Sequence, residues 1–234
     1  MTVTEMSVQK RPHYLLAAGG DSALWPASVQ QQLALTTCDF THFVGIDRGA
    51  LHLVDHGVEL ALAVGDFDSL QECELAQVRK ASQQVLQAPC EKSDTDTQLA
   101  LSEVFKRSPE ASVTLIGFSG GRLDHLLANL WLVLEARFTA HAEQLYLCDN
   151  QNSVSFYLPG EHHITQIAEY DYLTFACLTA VEALTLRNCR YPLTHHNTTH
   201  PYAFVSNEFI ADNAQFSFTS GIVAVIQSRD LKVK

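Results

Sequence analysis

Short apolar runs alternate with helical periodicities through the first 150 residues, and this alternation constrains the fold more than any other feature. The runs are Tyr14–Ala18, His42–Ile46, Leu60–Val64, Val85–Ala88, Val113–Gly117 and Gln144–Cys148. Each has the length and continuous apolar character of a strand buried on both faces. Between them, Leu70, Leu75 and Val78 share one face of a helix ending near Ser82, and Leu99, Val104 and Phe105 mark another. Leu123, Leu126, Leu127, Leu130 and Leu134 recur at the spacing of an amphipathic helix, and this stripe is expected to be core packing without chemistry. Strand–helix alternation predicts a parallel sheet covered by helices.

The texture changes after Asn150. SVSFYLPG, YDYLTFACL, VEALTLRN, AQFSFTSG and IVAVIQS are short β-type runs, broken at Pro159-Gly160, Asn188 and Pro201. No helix is expected there, so a boundary falls near residue 150, and the remainder reads as a compact antiparallel sandwich or barrel. At 234 residues and 47% hydrophobic content, the chain can bury one large core or two smaller ones. The net charge of −11 argues against sequence-independent nucleic-acid binding, which needs excess Lys and Arg. It leaves open a nucleotide held through a metal. The cysteines at 38, 73, 90, 148, 177 and 189 form no CxxC pair and read as buried, reduced thiols. Neither a signal-type apolar stretch nor a membrane span is found, which predicts a cytoplasmic protein.

The suspicious polar residues follow the predicted strands. They are Gly19-Gly20-Asp21, Asp47-Arg48-Gly49, Gly65-Asp66-Phe67-Asp68-Ser69, Ser93-Asp94-Thr95-Asp96 and Gly117-Phe118-Ser119-Gly120-Gly121-Arg122. In a parallel sheet these loops converge on one edge, where open α/β sheets bind ligands. If the extended backbone continues past Gly65, Asp66 and Asp68 point to one side and could share a Mg²⁺. The bland alternative is a polar turn with Asp68 or Ser69 capping the next helix. Ser93 and Asp96 have capping-box spacing, yet Asp94 and Asp96 also suit a metal. Gly120-Gly121 would allow close approach to a ligand, Arg122 offers a fork for phosphate oxygens, and Asp124 sits in the first helical turn. Neither GxxxxGK[ST] nor a kinase GxGxxG loop occurs, so nucleotide binding of those types is excluded. Acids at several strand ends with a Gly-Gly-Arg loop suit metal-assisted phosphoryl-type transfer.

GDFDS (65–69), SDTDTQLAL (93–101), GFSGGRLDHLLANL (117–130), VSNEF (205–209) and SGIVAVI (220–226), in that order, resemble the thiamine pyrophosphokinase family over essentially the whole chain. The resemblance implies an α/β nucleotide-binding domain with a parallel, Rossmann-like sheet over 1–150. It implies a β-sandwich thiamine-binding domain over 151–234. It implies a homodimer with thiamine bound between the subunits, and transfer of the pyrophosphoryl group of ATP to the thiamine hydroxyl. Asp66, Asp68 and Asp96 match the Mg²⁺ ligands. Asp47, Ser69, Thr95, Arg122 and Asp124 match ATP- and phosphate-side positions, and Arg122 also a catalytic one. Ser206, Asn207 and Ser220 match the thiamine-side stretch. The chain departs from the family pattern at Arg48, where a glycine is usual. Pyrophosphoryl transfer to another alcohol, such as a hydroxymethylpterin, and a non-catalytic nucleotide sensor are the competing readings. The segment from Tyr191 to Pro201, with His195, His196 and His200, is expected to be a solvated loop.

Overall fold

The computed structural model describes residues 11–34, 40–89, 93–168 and 170–231. Cys38 and Cys90 lie outside them. The strands of the first half are β1 His13–Ala17, β2 His42–Ile46, β3 Leu62–Gly65, β4 Val85–Gln87, β5 Ser112–Ile116 and β6 Leu145–Cys148. The helices are α1 Ala27–Ala34, α2 Arg48–Asp55, α3 Glu72–Ala81, α4 Asp96–Arg107, α5 Leu123–Trp131 and α6 Ala136–Thr139. The second half holds β7 Asn152–Tyr157, β8 Gly160–Thr165, β9 Tyr172–Cys177, β10 Val181–Arg187, β11 Leu193–Thr198, β12 Tyr202–Asn207, β13 Asn213–Phe218 and β14 Val223–Ser228. Among the described residues no helix is long and apolar enough to cross a membrane.

The expected parallel sheet is only part of a larger one. Ten strands run in the order β12-β9-β14-β7-β6-β5-β1-β2-β3-β4, and only the stretch from β6 to β4 is parallel. β7 turns straight back beside β6, antiparallel, with Tyr146 opposite Ser155. That return needs only a tight turn, so the sheet crosses residue 150 without a break. A second sheet, β11-β10-β13-β8, covers the antiparallel portion. The fold is therefore a mixed sheet with a separate sandwich layer at its C-terminal end.

Alternation along the central strand divides the core between two faces. Leu15 and Ala17 face α1, α2 and α3, with Leu33, Leu53 and Val78. Tyr14 and Leu16 face the layer of α4 and α6, with Leu101, Val104 and Phe138. That second cluster also takes in Val154, Phe156 and Ala224 from the C-terminal half, so the halves share a core. Phe175, Leu184, Phe216 and Val225 fill the sandwich.

The leucine stripe of α5 is not the core face expected. Leu123 is 68% exposed and Trp131 54%, while Asn129 is buried. Leu126 and Leu130 pack only partly against the core, and it is the short helical turn after α5 that buries Leu132 and Val133. The segment 191–201 is also not a loop. It contains β11, whose outward-facing THHN run shows no apolar alternation for a sequence reading to detect. Cys177 and Cys189 are buried as expected, whereas Cys73 is exposed on α3.

Because the sheet and one core cluster cross residue 150, the molecule should unfold as one cooperative unit. Phe175→Ala, deep in the sandwich, should lower stability by about 3–5 kcal/mol. Circular dichroism and tryptophan fluorescence should report the same shifted denaturant transition, since Trp25 sits in the other half. A transition that leaves the Trp25 signal unmoved would contradict the shared core.

Candidate active site

The strand-end loops do converge, and the close packing of α2 sets their geometry. A Cβ on Gly49 would lie 2.0 Å from the Ala17 carbonyl oxygen, so only glycine lets the first turn of α2 approach β1 this closely. Asp47, just before that turn, has φ 48° and ψ −123°. Its N–H donates to the Val64 carbonyl (2.9 Å), which joins the ends of β2 and β3.

The 66–69 segment does not continue the strand. β3 stops at Gly65, and Phe67 takes φ 58° with its ring buried among the residues below α2 and α3. The Asp68 N–H donates to Asp66 Oδ1 (3.1 Å), forming an Asx turn. The segment is thus a turn around a buried phenylalanine, not a continued strand, and it leaves the Asp68 side chain exposed. Left-handed backbone at non-glycine residues costs about 1–3 kcal/mol each, so the surroundings hold Asp47 and Phe67 in place.

Three carboxylates meet here: Asp47, Asp66 and Asp96. Burial first, then the Asp96 carboxylate, push the Asp47 carboxyl up from its ordinary value to about 7. A hydrogen bond with Asp96 and the charge of Asp66 act in the same direction, while the Phe67 N–H, 3.4 Å from Asp47 Oδ1, opposes them. Asp47, which the motif reading placed on the phosphate side, is therefore at the centre of the acidic group. Among the described residues no three metal-ligating side chains are close enough to hold an ion unaided. Mg²⁺ does not require three, since it commonly takes one or two carboxylates and completes its shell with waters and substrate phosphates. A carboxyl whose affinity for a proton is raised by burial and by neighbouring acids suits a position where a cation would offset the same charge.

The neighbouring candidates resolve differently. Thr95, not Ser93, caps α4: its hydroxyl accepts from the Gln98 N–H (3.2 Å), and Gln98 Oε1 accepts from the Thr95 N–H (2.6 Å). Asp96, the first residue of α4, is thereby aimed from a helix N-terminus. Asp94 is turned away, gripped by Arg137 at 2.7 and 3.0 Å, which holds its carboxyl below the ordinary value. Arg137, forty-three residues away in sequence, carried no motif signal. α3 is capped by Gln71 and Glu74 (Gln71 N–H to Oε2, 2.7 Å), which leaves Ser69 out of the cap expected for it.

In the GFSGGR loop, Gly117 has φ 66°, and a Cβ there would lie 2.4 Å from the Ala18 carbonyl. The Gly20 N–H donates to the Gly117 carbonyl (2.9 Å), so these two loops are zipped together. Of the Gly120-Gly121 pair, only Gly121 faces open space. Arg122 and Asp124 form an exposed fork (Nη2 to Oδ2, 2.5 Å; Nε to Oδ1, 3.1 Å), which holds the Asp124 carboxyl below its ordinary value. Asp149 carried no motif signal either. It is buried, accepts from Ser119 Oγ (2.5 Å), and caps the β6–β7 turn through the Gln151 and Asn152 N–H groups (2.8 and 2.7 Å).

The thiamine-side candidates lie far off. Ser206 and Asn207 end β12, the first strand in the sheet order, whereas Asp66 follows β3, the ninth. At roughly 4.8 Å per strand the separation is on the order of 35 Å. Asn207 is 2% exposed, and its amide is taken up by the Tyr191 N–H and carbonyl (2.9 Å each) and the Glu208 N–H (3.0 Å). Its observed work is to pin the chain leading into β11. Ser206 is exposed with φ 57°, and Ser220 is half-buried in a bridge to Glu182.

Two family models match the chain: "Thiamin pyrophosphokinase, catalytic domain" over residues 35–146 and "Thiamin pyrophosphokinase, vitamin B1 binding domain" over 161–223. A curated thiamine pyrophosphokinase of Bacillus subtilis is 33% identical over 217 residues, covering 92% of this chain and 98% of that protein. The crystal structure of a thiamin pyrophosphokinase family protein from Enterococcus faecalis superposes with a TM-score of 0.87 at 48% identity, covering 94% of this chain and all of that one. The thiamin pyrophosphokinase of Geobacillus thermodenitrificans does so with a TM-score of 0.78 at 30% identity, covering 94% and 99%.

The raised Asp47 carboxyl has a consequence for stability. The folded protein holds this proton more tightly than the unfolded chain, so its contribution is present at low pH and is lost as pH rises toward and through about 7. In chelator-treated protein, Asp47→Asn should therefore be more stable than wild type at pH 8. The gain should be about 1–2 kcal/mol, solvent screening reducing the effect at this partly exposed group, and it should shrink steadily as pH falls from 8 to 5. Urea denaturation across pH 5–8 measures it, and a gap that widens on acidification would refute the assignment.

Proposed function

The chain belongs to the thiamin pyrophosphokinase family, and from that footing we propose that it transfers the pyrophosphoryl group of ATP to the hydroxyl of thiamine, giving thiamine diphosphate and AMP. The observation that carries the reading is the carboxylate group of Asp47, Asp66 and Asp96 at adjacent strand ends, in a chain matched along its length by both family models. The thiamine hydroxyl oxygen bonds to the β-phosphorus and gives up its proton to water, and the bond from that phosphorus to the bridging oxygen of AMP breaks with its electron pair leaving on AMP. Asp66, Asp68 and Asp96 are the proposed holders of Mg²⁺, with Asp47 beside them. A bound Mg²⁺ offsets the charge of the triphosphate and of the transferring oxygens. Arg122, released from Asp124, has the fork to meet the transferring phosphoryl oxygens. The N-terminus of α4, capped through Thr95, orients donors toward anionic oxygen. Catalysis is then positioning plus electrostatics.

The acceptor is thiamine rather than another alcohol because the second model, the vitamin B1 binding domain, spans the sandwich. A homodimer with thiamine between subunits is supported by the strand order. One chain separates its phosphate-side and thiamine-side candidates by most of the sheet width. Tyr191, Tyr202, Val205 and Ile210 also expose apolar surface beside the edge strands β11 and β12, as a surface meant for a partner does. In this reading Ser206 of one chain serves the acids of the other.

Incubation with ATP, Mg²⁺ and thiamine should yield AMP and thiamine diphosphate. ADP would exclude pyrophosphoryl transfer, AMP only with a pterin alcohol would change the acceptor, and no nucleotide consumption would indicate a sensor. Asp66→Asn and Asp96→Asn should each lower kcat 100- to 1,000-fold, an order-of-magnitude expectation for lost charge stabilisation, with unchanged circular dichroism. Mixing and reassembling an Asp66→Asn chain with a Ser206→Arg chain should restore about a quarter of wild-type activity if sites are shared, because half of random pairs hold one intact site. No recovery in a demonstrated mixed dimer would argue against shared sites.

A further inference from the structure

Arg48 sits between the acidic group and the loop that supplies Asp66 to it. It is the first residue of α2, directly after Asp47, and its Nη2 donates to the Ser69 carbonyl. Its Nη1 lies 3.9 Å from Glu74 Oε1, and Glu74 is itself held by the Gln71 N–H. The Asp47-Arg48 dipeptide thus grips the 66–69 loop along its length. The Asp47 N–H holds Val64 before the loop, Asp47 Oδ1 meets the Phe67 N–H in the middle, and Arg48 holds Ser69 at the far end. The loop's own restraints are local: the Asx turn from Asp66 to Asp68, the Leu70 N–H to the Phe67 carbonyl (3.1 Å), and the buried Phe67 ring. The side-chain clamp on its C-terminal end comes from Arg48. A glycine at 48 would bring none.

We propose that Arg48 is a positioning residue that clamps the 66–69 loop onto the start of α2, so that the Asp66 carboxylate is set against Asp47 and Asp96 before a divalent cation arrives. The inference rests on the pyrophosphokinase reading for the reaction served, but not for its measurement. Two effects of losing Arg48 oppose one another. Removing a positive charge beside carboxylates favours cation binding, whereas releasing the loop disfavours it. With the guanidinium anchored on a carbonyl and paired with Glu74, the second effect outweighs the first.

The test uses the full-length protein and Mn²⁺ as the probe, followed by electron paramagnetic resonance with and without α,β-methylene ATP. Arg48→Ala should weaken Mn²⁺ binding about 5- to 20-fold, the scale of one hydrogen bond. Amide exchange at Phe67–Leu70 should speed up about tenfold or more. Arg48→Lys, which keeps the charge and one donor able to reach Ser69, should stay within about threefold of wild type in both readouts. In turnover, the Mg²⁺ needed for half-maximal rate should rise in Arg48→Ala by the same factor, with kcat at saturating Mg²⁺ nearly unchanged. Unchanged or tighter Mn²⁺ binding in Arg48→Ala, or unaltered exchange in the loop, overturns the proposal. So does a wild type that binds no Mn²⁺ even with the analogue. If Arg48→Ala fails to fold, Arg48→Met decides by the same readouts, since it keeps most of the aliphatic stem but no donor for the Ser69 carbonyl. Failure of wild type to make thiamine diphosphate while Mn²⁺ binding and exchange respond as stated would remove the reaction and leave the clamp.

Discussion

Burial disfavours charge on Asp47, the Asp96 and Asp66 carboxylates add to that cost, and a hydrogen bond links Asp47 with Asp96, yet the fold holds all three at neighbouring strand ends. Much of the local architecture follows from that demand. Asp47 and Phe67 adopt left-handed backbone to turn their chains toward the acids. Gly49 has no Cβ, so α2 can press against β1 and carry the Asp47 turn with it. Thr95 and Gln98 close the start of α4 and present Asp96 from a helix terminus. None of these local arrangements is favourable by itself. They persist because the strands they end are packed on both faces, with Leu15 and Ala17 buried toward one helix layer and Tyr14 and Leu16 toward the other.

The same sheet that concentrates the acids disperses the remaining candidates. Once β7 pairs antiparallel with β6, the C-terminal strands extend the sheet sideways instead of folding back over the acidic edge. Ser206 and Asn207 end up on the opposite margin. That margin and the neighbouring strand β11 are open edges beside exposed Tyr191, Tyr202 and Val205. Unpaired edges with apolar surface are unfavourable for a lone chain. In the pyrophosphokinase reading, a second chain both covers that surface and supplies the missing half of the site.

Which parts were legible follows from what leaves a local trace. The six parallel strands were readable to within about two residues, because each carries a short apolar run, continuous where both faces are buried and thinner in the half-buried edge strand β4. α3 and α4 were readable from their periodicity. α5 misled: its leucines have helical spacing, but spacing alone does not say what lies on the far side, and Leu123 and Leu127 face outward. β8, β11 and β12 were missed because edge and outer strands exposed on one face carry His, Thr and Asn where alternation was sought. Cap positions shifted by two residues at α3 and α4, since several Ser, Thr, Gln and Asp side chains near a helix start can compete for the same N–H groups.

The sequence by itself determined which acids stand at strand ends, that a sheet would gather them on one edge, and, through the order of its motifs, the family. Those properties are local or linear, and hydrophobic patterning fixes them before any contact forms. Tertiary structure decided which acids meet. Asp47 joined Asp66 and Asp96, Asp94 was drawn off to Arg137, and Asn207 was spent on the backbone of Tyr191. It also decided that Arg48 would reach across to Ser69. A carboxylate's partner depends on distances of a few ångströms between segments tens of residues apart, and only the packed chain sets those distances.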